Sequence, residues 1–233
     1  MAYIYNPKEN WLVLDHYLGC SHACRYCFGP AETCQSPQQF FGNPRPRFLD
    51  PKILDKELKP LKNQTVLISC LTDPYQPLDV ETKLTRKIIE RLQFFGVHVN
   101  IFTKAGLRST RDFDLLAKDP KTEYGATLTF LNPEDSVKWE PGAALPQERI
   151  DALKQAHNLG IRTWASLEPV IDLKQSLQII RETKDFADEF RIGALSIDLR
   201  IDWGTFLKEA IGLCLKFKKR YYLRASLAFF LKM

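Results

Sequence analysis

The stretch YLGCSHACRYCFGP, residues 17–30, places Cys20, Cys24 and Cys27 within eight positions of one loop. Three thiolates so close together are able to bind a metal centre. A structural zinc site needs four ligands, and the fourth would have to be His22 or Cys34. A site with three protein ligands leaves one metal position open, and open positions usually serve catalysis. The loop therefore predicts a metal centre and leaves both kinds of site open.

The composition is that of an ordinary globular protein. The 233 residues are 45% hydrophobic and 26% charged, which suits a single α/β domain over residues 1–233. Six cysteines in a chain of this kind are more typical of metal binding or chemistry than of a disulfide framework. The formal charge of +5 leans towards polyanionic partners but does not by itself establish nucleic-acid binding.

The opening residues and the apolar runs bear on location. The segment MAYIYNPKENWLV has neither a basic n-region nor a long apolar h-region, so we predict no signal peptide. No run approaches the ~18 apolar residues that a membrane-spanning helix needs. We expect a cytoplasmic protein with no membrane partner.

Short apolar segments alternate with longer amphipathic segments along the chain. Strand candidates, rich in β-branched and aromatic residues, are 11–17, 66–71, 98–104, 124–130, 162–167 and 191–197. Helix candidates are 52–58, 80–95, 110–118, 146–159, 173–190 and 203–218. The last apolar run, 221–227, is either a seventh strand or a tail.

This alternation predicts a parallel sheet with right-handed crossovers. At this length we expect a partial (β/α)6 barrel of the TIM type, with a doubly wound α/β sheet as the alternative. In either fold the functional residues gather at the carboxyl ends of the strands. The cysteine loop follows the first predicted strand, so we expect it at that end of the sheet.

The Cys20-x3-Cys24-x2-Cys27 spacing, with Tyr26 and Phe28 beside the third cysteine, resembles the cluster loop of the radical S-adenosylmethionine superfamily. The resemblance implies that this loop, residues 18–30, holds a 4Fe-4S cluster through its three cysteines. It also implies that S-adenosyl-L-methionine occupies the open iron and yields a 5'-deoxyadenosyl radical for hydrogen abstraction. A partial barrel and an electron donor such as flavodoxin or ferredoxin follow from the same resemblance.

Downstream segments are similar to the spore photoproduct lyase-like family, whose members are often called DNA repair photolyases. The similarity covers roughly residues 11–200, and its most specific segment is SCLTDPYQP, residues 69–77. In that family a cysteine at the place of Cys70 returns a hydrogen atom to the substrate radical. The resemblance therefore implies that Cys70 is a catalytic hydrogen donor, with Tyr26 or Tyr75 restoring its thiyl radical. A packing role for Cys70 is the alternative.

Five polar residues near the predicted strand ends are candidates for binding S-adenosylmethionine. Thr72 and Asp73 would bond the methionine amino group, Lys104 would pair with its carboxylate, and a threonine hydroxyl of the fourth predicted strand would reach the ribose. Each has a simpler explanation, namely a turn, a solvated strand end or β-propensity. The two threonines are Thr127 and Thr129, which are two apart on one strand and so face the same side.

One departure bears on the substrate. Lyases of the family have tyrosines on both sides of the third cluster cysteine, whereas this chain has Phe28 after it. Phenylalanine has no phenolic hydrogen, so the family's radical relay cannot run unchanged. DNA or another nucleic acid is therefore one candidate substrate among others, favoured by the basic segment at 216–233. The alternatives to an enzyme are a zinc-binding module and a catalytically degenerate relative that binds nucleic acid.

Overall fold

One sheet organises the part of the chain that the computed structural model describes, residues 3–6, 11–195, 201–228 and 230. Ten strands lie within these ranges: β1 (Ile4–Tyr5), β2 (Leu12–Leu14), β3 (Tyr17–Leu18), β4 (Arg45–Pro46), β5 (Thr65–Ile68), β6 (His98–Thr103), β7 (Glu123–Thr127), β8 (Arg162–Val170), β9 (Glu189–Ala194) and β10 (Arg220–Leu223). Eight of these described strands form one sheet in the order β1-β2-β5-β6-β7-β8-β9-β10, while β3 and β4 pair separately.

The sheet is parallel from β2 to β10, and its strands are adjacent in the order of the chain. Only β1 runs antiparallel within the described sheet, where it pairs with β2 and places Tyr5 opposite Val13. Val66, Leu67 and Ile68 of β5 are all buried, as expected for a parallel strand that is covered on both faces.

Helices connect the strands within the described ranges. They are α1 (Gly29–Glu32), α2 (Pro37–Gly42), α3 (Pro51–Leu58), α4 (Leu78–Thr82), α5 (Leu84–Phe94), α6 (Phe113–Leu116), α7 (Pro133–Trp139), α8 (Pro146–Asn158), α9 (Leu173–Thr183), α10 (Trp203–Lys216) and α11 (Ala225–Ala228). Short 3-10 segments lie at Lys59–Leu61 and Gly106–Asp112. None of the helices in these ranges is long and apolar enough to cross a membrane.

The predicted partial barrel is confirmed, with one more parallel strand than the six expected. The apolar run at 221–227 supplies it, because Arg220–Leu223 forms β10 before the chain turns into α11. The predicted helix 80–95 is interrupted at Lys83, which adopts a left-handed conformation with φ of 49°. The predicted helix 173–190 ends at Thr183 because Glu189–Ala194 is needed as β9. Residues 196 and 197 of the last predicted strand lie outside the described residues.

Two strand predictions were too long in ways that matter for the site. The first predicted strand, 11–17, ends at Leu14, and Tyr17–Leu18 pairs with Arg45–Pro46 instead. The fourth, 124–130, ends at Thr127, so that the following residues leave the sheet. Because both strands are shorter than predicted, the residues that follow them form loops at the carboxyl end of the sheet. These loops line a cavity.

Candidate active site at the carboxyl ends of the strands

A cavity of about 320 Å³ opens at the carboxyl ends of the parallel strands. It combines sulfur, hydroxyl and charged groups with aromatic rings. Its walls are formed by Cys20, His22, Ala23, Cys24, Tyr26, Cys27, Phe28, Phe41, Ser69, Cys70, Leu71, Thr72, Asp73, Phe102, Thr103, Lys104, Thr127, Glu168, Pro169, Gly193, Ala194, Leu195 and Arg224. The three loop cysteines thus lie in the same cavity as most of the residues predicted to bind S-adenosylmethionine.

The cysteine loop turns sharply into this cavity. Gly19 has a φ of 78°, and a Cβ there would collide with the carbonyl oxygen of Phe40, so only glycine fits. The next residue, Cys20, donates its backbone N–H to that same carbonyl over 3.1 Å. Cys20 and Cys24 are buried, and Cys27 is half-buried. The close approach of α2 therefore fixes where the loop begins.

The segment after β5 binds the loop through a buried glutamine. Gln76 is fully buried. Its Oε1 accepts the backbone N–H of Ser21 over 3.0 Å, and its Nε2 donates to the carbonyl of Gly19 over 3.1 Å. A buried backbone group without a partner costs about 1–3 kcal/mol, so these bonds hold the loop against the second parallel strand.

A second segment, residues 139–142, binds the other side of the loop. The backbone N–H of Arg25 donates to the carbonyl of Trp139 over 2.8 Å, and that of Gly142 donates to the carbonyl of His22 over 2.9 Å. The Tyr26 phenol donates to the buried carboxylate of Glu140. That carboxylate also pairs with the buried guanidinium of Arg149 over 2.6 Å. The phenolic hydrogen of Tyr26 is therefore directed towards Glu140.

Burial decides the ionisation of the loop cysteines. It raises the pKa of Cys20 and of Cys24 to about 12, and it also raises the pKa of Cys27. The thiols are therefore neutral without a bound metal centre. Because metal ligation requires thiolates, binding must displace these protons.

The arrangement of these side chains bears on the zinc hypothesis. Within the described residues, no group of three or more His, Cys, Asp and Glu side chains is able to hold a metal ion. Cys34 is exposed, while the ring of His22 lies between Arg108 and Asp73. His22 is thus already in contact with two side chains, and Cys34 does not line the cavity. In a 4Fe-4S cluster each cysteine thiolate binds a different iron atom. The cysteines that hold such a cluster therefore lie further apart than the ligands of a single metal ion.

Two threonine hydroxyls in the cavity are unsatisfied. The Oγ1 atoms of Thr72 and Thr127 are buried and have no hydrogen-bond partner within the described residues. Buried polar atoms are normally hydrogen-bonded, so each hydroxyl is available to a polar ligand in the cavity. This is the property that a binding site for an amino acid and a ribose requires.

Lys104 brings a positive charge to the same cavity. Its Nζ lies 5.6 Å from the centre of the Tyr26 ring and 5.7 Å from that of Phe102. Burial lowers the pKa of this half-buried ammonium, but nearby negative charges outweigh burial and raise it overall. No ion pair within the described part of the chain involves Lys104. The ammonium is therefore charged and available to an anionic group.

Asp73 is placed at the cavity, but its acceptor sites are already filled. Its Oδ1 accepts from the Tyr75 N–H and the Thr103 hydroxyl, and its Oδ2 accepts from the Lys104 N–H and faces His22 Nδ1 at 3.4 Å. Burial alone would raise the pKa of Asp73, but His22 and the hydrogen-bond donors hold it well below its usual range. A carboxylate has about four acceptor positions. Asp73 therefore lines the cavity with its acceptor positions occupied by donors of the chain itself, and its contact with S-adenosylmethionine stays a prediction.

Two further predicted site residues lie away from the cavity. Thr129 follows the end of β7, and its hydroxyl lies 3.4 Å from the Tyr26 hydroxyl, so it does not share a strand face with Thr127. The Tyr75 side chain is buried beneath the guanidinium of Arg111, 5.6 Å from the ring centre. Neither residue belongs to the cavity wall, so their predicted roles at the ribose and at Cys70 find no support in the structure.

Cys70 lines the cavity from a loop and not, as predicted, from a strand end. The preceding Ser69 has a φ of 61°, which ends the strand geometry of β5. The backbone N–H groups of Cys70 and Leu71 both donate to Oδ1 of Asp15, over 2.9 and 3.0 Å. Asp15 is buried and was not identified from the sequence. The only signal for it there is its place directly after the first strand.

The other side of the cavity is built by β8, β9 and β10. Glu168 accepts a hydrogen bond from Arg224 Nε over 2.6 Å and another from the Ser166 hydroxyl over 3.0 Å. The Arg224 side chain is 48% exposed, in contrast to the buried charges near the cysteine loop. Arg224 was not identified from the sequence, because it directly follows β10, and residues 221–227 were predicted to be either a strand or a tail.

The groups that line the cavity are typical of one class of protein. Three cysteines, two buried hydroxyls that have no partner among the described residues and a lysine ammonium line one cavity of a partial barrel, which suits a metal centre and a polar cofactor. Residues 14–187 match the Radical SAM superfamily, and the chain belongs to this family. The family implies S-adenosylmethionine and an iron–sulfur cluster, and it supports an enzyme.

The relatives by sequence are mostly uncharacterized. The chain is 28% identical over 204 residues to an uncharacterized protein of Methanocaldococcus jannaschii, covering 84% of this chain and 75% of that protein. It is 30% identical over 172 residues to an uncharacterized protein of Mycobacterium tuberculosis, covering 68% of this chain and 49% of the relative. The chain thus spans about half the length of this mycobacterial relative.

Solved structures share the fold at low identity. A spore photoproduct lyase variant superimposes with a TM-score of 0.71 at 12% identity, covering 96% of this chain and 79% of the other. Streptococcus suis SuiB bound to S-adenosylmethionine gives a TM-score of 0.66 at 14% identity, covering 94% and 52%. Other structures of these two proteins contain a dinucleoside spore photoproduct or a precursor peptide. At such identities the likeness establishes the fold alone.

Proposed function

We propose that this chain, over residues 1–233, is a radical S-adenosylmethionine enzyme whose Cys20, Cys24 and Cys27 hold a 4Fe-4S cluster. When bound, the reduced cluster cleaves S-adenosylmethionine to a 5'-deoxyadenosyl radical that abstracts a hydrogen atom from a substrate. The observation that carries the proposal is the shared cavity: the three cysteines, the unsatisfied hydroxyls of Thr72 and Thr127, and the Lys104 ammonium all line it.

The residues of the cavity divide the recognition of S-adenosylmethionine between them. Lys104 pairs with the methionine carboxylate as a charge-assisted contact. The Thr72 hydroxyl accepts a hydrogen bond from the methionine amino group, and the Thr127 hydroxyl bonds the ribose. Asp73 acts through its neighbours, because its bond to the Lys104 N–H over 2.7 Å fixes the start of the Lys104 side chain.

Cys70 provides a hydrogen atom to the substrate radical. A thiol hydrogen is weakly bound, and Cys70 lines the cavity that contains the cluster cysteines. We assign the substrate to nucleic-acid lesions, as in spore photoproduct lyase, on the strength of the sequence resemblance and the presence of Cys70. Phe28 requires that any radical relay differ from that of the lyases. The electron donor is a flavodoxin or a ferredoxin.

The proposal is tested by the release of 5'-deoxyadenosine. Anaerobically reconstituted protein, given dithionite and S-adenosylmethionine, should release it, whereas Cys24→Ala should not. A colourless protein that contains zinc and releases none would support the zinc-binding module. A brown protein that binds nucleic acid but releases none would support the degenerate relative.

The substrate assignment needs its own experiment. Dinucleotide photoproducts, other DNA lesions and RNA are each added to the reconstituted protein, and conversion is measured by mass spectrometry. Conversion of a lesion by the native protein should give a single product, and Cys70→Ala should give a mixture while still cleaving S-adenosylmethionine. Conversion of none of these substrates, with 5'-deoxyadenosine still released, would remove nucleic acid as the substrate class and leave the radical chemistry standing.

A further inference from the structure

A tyrosine from the edge of the sheet lies beside Cys70. Tyr5 belongs to β1 and lies opposite Val13 of β2, and its side chain reaches Asp15, the residue directly after the end of β2. There the phenol donates a hydrogen bond to Oδ2 of Asp15 over 2.5 Å. Asp15 is only 4% exposed, so this carboxylate is a proton acceptor shielded from water.

The same carboxylate binds the loop that carries Cys70. Its other oxygen, Oδ1, accepts the backbone N–H groups of Cys70 and Leu71 over 2.9 and 3.0 Å. A single buried side chain therefore connects the Tyr5 phenol to Cys70. Within the described residues, no other tyrosine shares a carboxylate with the Cys70 loop in this way.

The surroundings of Tyr5 keep its phenol protonated. Burial, followed by the charge and hydrogen bond of Asp15 and by the charge of Cys70, raises the pKa of Tyr5 well above its usual value. The phenol therefore keeps its proton over the whole working range of pH. Tyr26 donates to Glu140 instead, whereas the carboxylate that Tyr5 donates to is the one that also binds the Cys70 loop.

We propose that Tyr5 is the redox partner that restores Cys70, with Asp15 as its proton acceptor. This inference rests on the proposed hydrogen-donor role of Cys70, whose S–H bond breaks when the substrate radical takes the hydrogen atom. Tyr5 then gives one electron to the Cys70 thiyl radical, which becomes a thiolate. The phenolic O–H bond breaks at the same time, and its proton passes to Oδ2 of Asp15, leaving a tyrosyl radical. Transfer of that proton to the thiolate regenerates the thiol.

The test generates the Cys70 thiyl radical without substrate or cluster. The full chain, before cluster reconstitution, is S-nitrosated, and the S–N bond is broken by light in frozen solution. Electron paramagnetic resonance then measures the tyrosyl radical, whose signal narrows with ring-deuterated tyrosine. The yield is divided by the amount of nitrosated Cys70, determined by mass spectrometry.

We expect a tyrosyl signal in the native sequence that falls at least tenfold in Tyr5→Phe and in Cys70→Ala. Tyr3→Phe removes a neighbouring phenol that accepts the Asp50 N–H rather than donating to Asp15, and it should keep the full signal. The variant Asp15→Asn keeps an acceptor for the Cys70 loop, but an amide takes up no proton. The yield of tyrosyl radical in this variant should therefore fall severalfold. Circular dichroism checks that each variant is folded.

A native protein without a tyrosyl signal, or a signal that persists in Tyr5→Phe, overturns the inference. The release of 5'-deoxyadenosine does not require Tyr5, so it is measured separately in the reconstituted Tyr5→Phe protein. Release at the native rate together with a persistent tyrosyl signal would reject Tyr5 and retain the radical chemistry. Absence of release from the native protein would instead reject the proposed function.

Discussion

The cavity has two walls that are held together differently. The loop wall, residues 19–27 and 69–76, is fixed by buried bonds, among them those of Gln76 to the loop backbone and those of Asp73 to Thr103 and the Lys104 N–H. The far wall, residues 168–169, 193–195 and 224, presents the pair of Glu168 with the 48% exposed Arg224. One wall is thus organised by buried polar bonds, and the other contains a charge pair in contact with water.

The two walls of the cavity are suited to different tasks. Buried bonds are costly to break, since an unsatisfied buried group costs about 1–3 kcal/mol, so the loop wall keeps one geometry. An exposed ion pair contributes about 0–1 kcal/mol, so the far wall is able to rearrange. A cofactor site needs a fixed arrangement of ligands, whereas the surface facing a substrate has to admit and release it. The loop wall therefore suits the cofactors and the far wall suits the substrate.

The largest effect is expected from Asp73→Ala. It removes the acceptor of the Tyr75 N–H, the Thr103 hydroxyl and the Lys104 N–H, together with the contact to His22, and a buried group left without a partner costs about 1–3 kcal/mol. The free energy of unfolding, measured in urea, should fall by about that amount, and the iron bound after reconstitution should fall with it.

A matched control for Asp73 is Asp185→Ala, because Asp185 pairs with Lys184 at the surface with its side chain 76% exposed. The free energy of unfolding of Asp185→Ala should equal that of the native protein. If Asp73→Ala were no less stable than Asp185→Ala, the loop wall would not depend on buried bonds.

The next effect is expected from Lys104→Ala. A hydrogen bond to a charged group contributes about 1.5–3 kcal/mol, so the affinity for S-adenosylmethionine should fall about tenfold or more with the cluster intact. Calorimetry measures the affinity, and iron analysis verifies the cluster. Lys138→Ala, which removes an exposed lysine of α7, is the control. Native affinity in Lys104→Ala would show that Lys104 is only a solvated strand end.

A pH effect is expected from His16, which supports the loop wall through Ser69 and Thr85. Burial lowers the pKa of His16 to about 3, against the opposing charge of Asp73. The unfolded chain binds a proton near pH 6.5 and the folded chain does not, so stability is lost as pH falls from about 6.5 to 3. For one such proton, the free energy of unfolding falls by at most about 1.4 kcal/mol for each pH unit in this range.

The variant His16→Gln should reduce this dependence, because glutamine carries no titrating group. Urea unfolding at several pH values measures the slope in both proteins. An unchanged slope in His16→Gln would show that this histidine does not couple stability to acid.

The smallest effect on the cofactors is expected from Arg224→Ala. Its pair with Glu168 contributes about 0–1 kcal/mol at this exposure, so iron content and 5'-deoxyadenosine release without substrate should stay within about twofold of the native protein. The two assays distinguish the walls directly. A loss of iron or of cleavage comparable to that in Lys104→Ala would show that the far wall also binds cofactor.

The sequence predicted the site best where spacing and position carry the information. The three cysteines, Lys104 and Thr127 all line the cavity, as expected from their distance along the chain and their place at or after the end of a strand. Thr129 lies outside the cavity wall because β7 ends at Thr127, earlier than β-propensity suggested, and its role at the ribose stays a prediction.

Other features of the site depend on contacts between distant segments. The filled acceptor sites of Asp73 could not be predicted, because its donors come from residues as far apart as His22 and Lys104. Tyr5 was missed because β1 has only two residues, and no periodicity exists at that length. Asp15 was missed because the backbone groups that it binds in the cavity, those of Cys70 and Leu71, lie more than fifty residues away along the chain.

The central claim is that Cys20, Cys24 and Cys27 together hold the cluster. Iron and sulfide content after anaerobic reconstitution tests it most directly. The native protein and Cys34→Ala, which changes an exposed cysteine, should both be brown and equally loaded, and Cys214→Ala should load equally if folded. Alanine at position 20, 24 or 27 should abolish iron binding. Full iron loading in Cys24→Ala, or an equal loss in Cys34→Ala, would contradict the account.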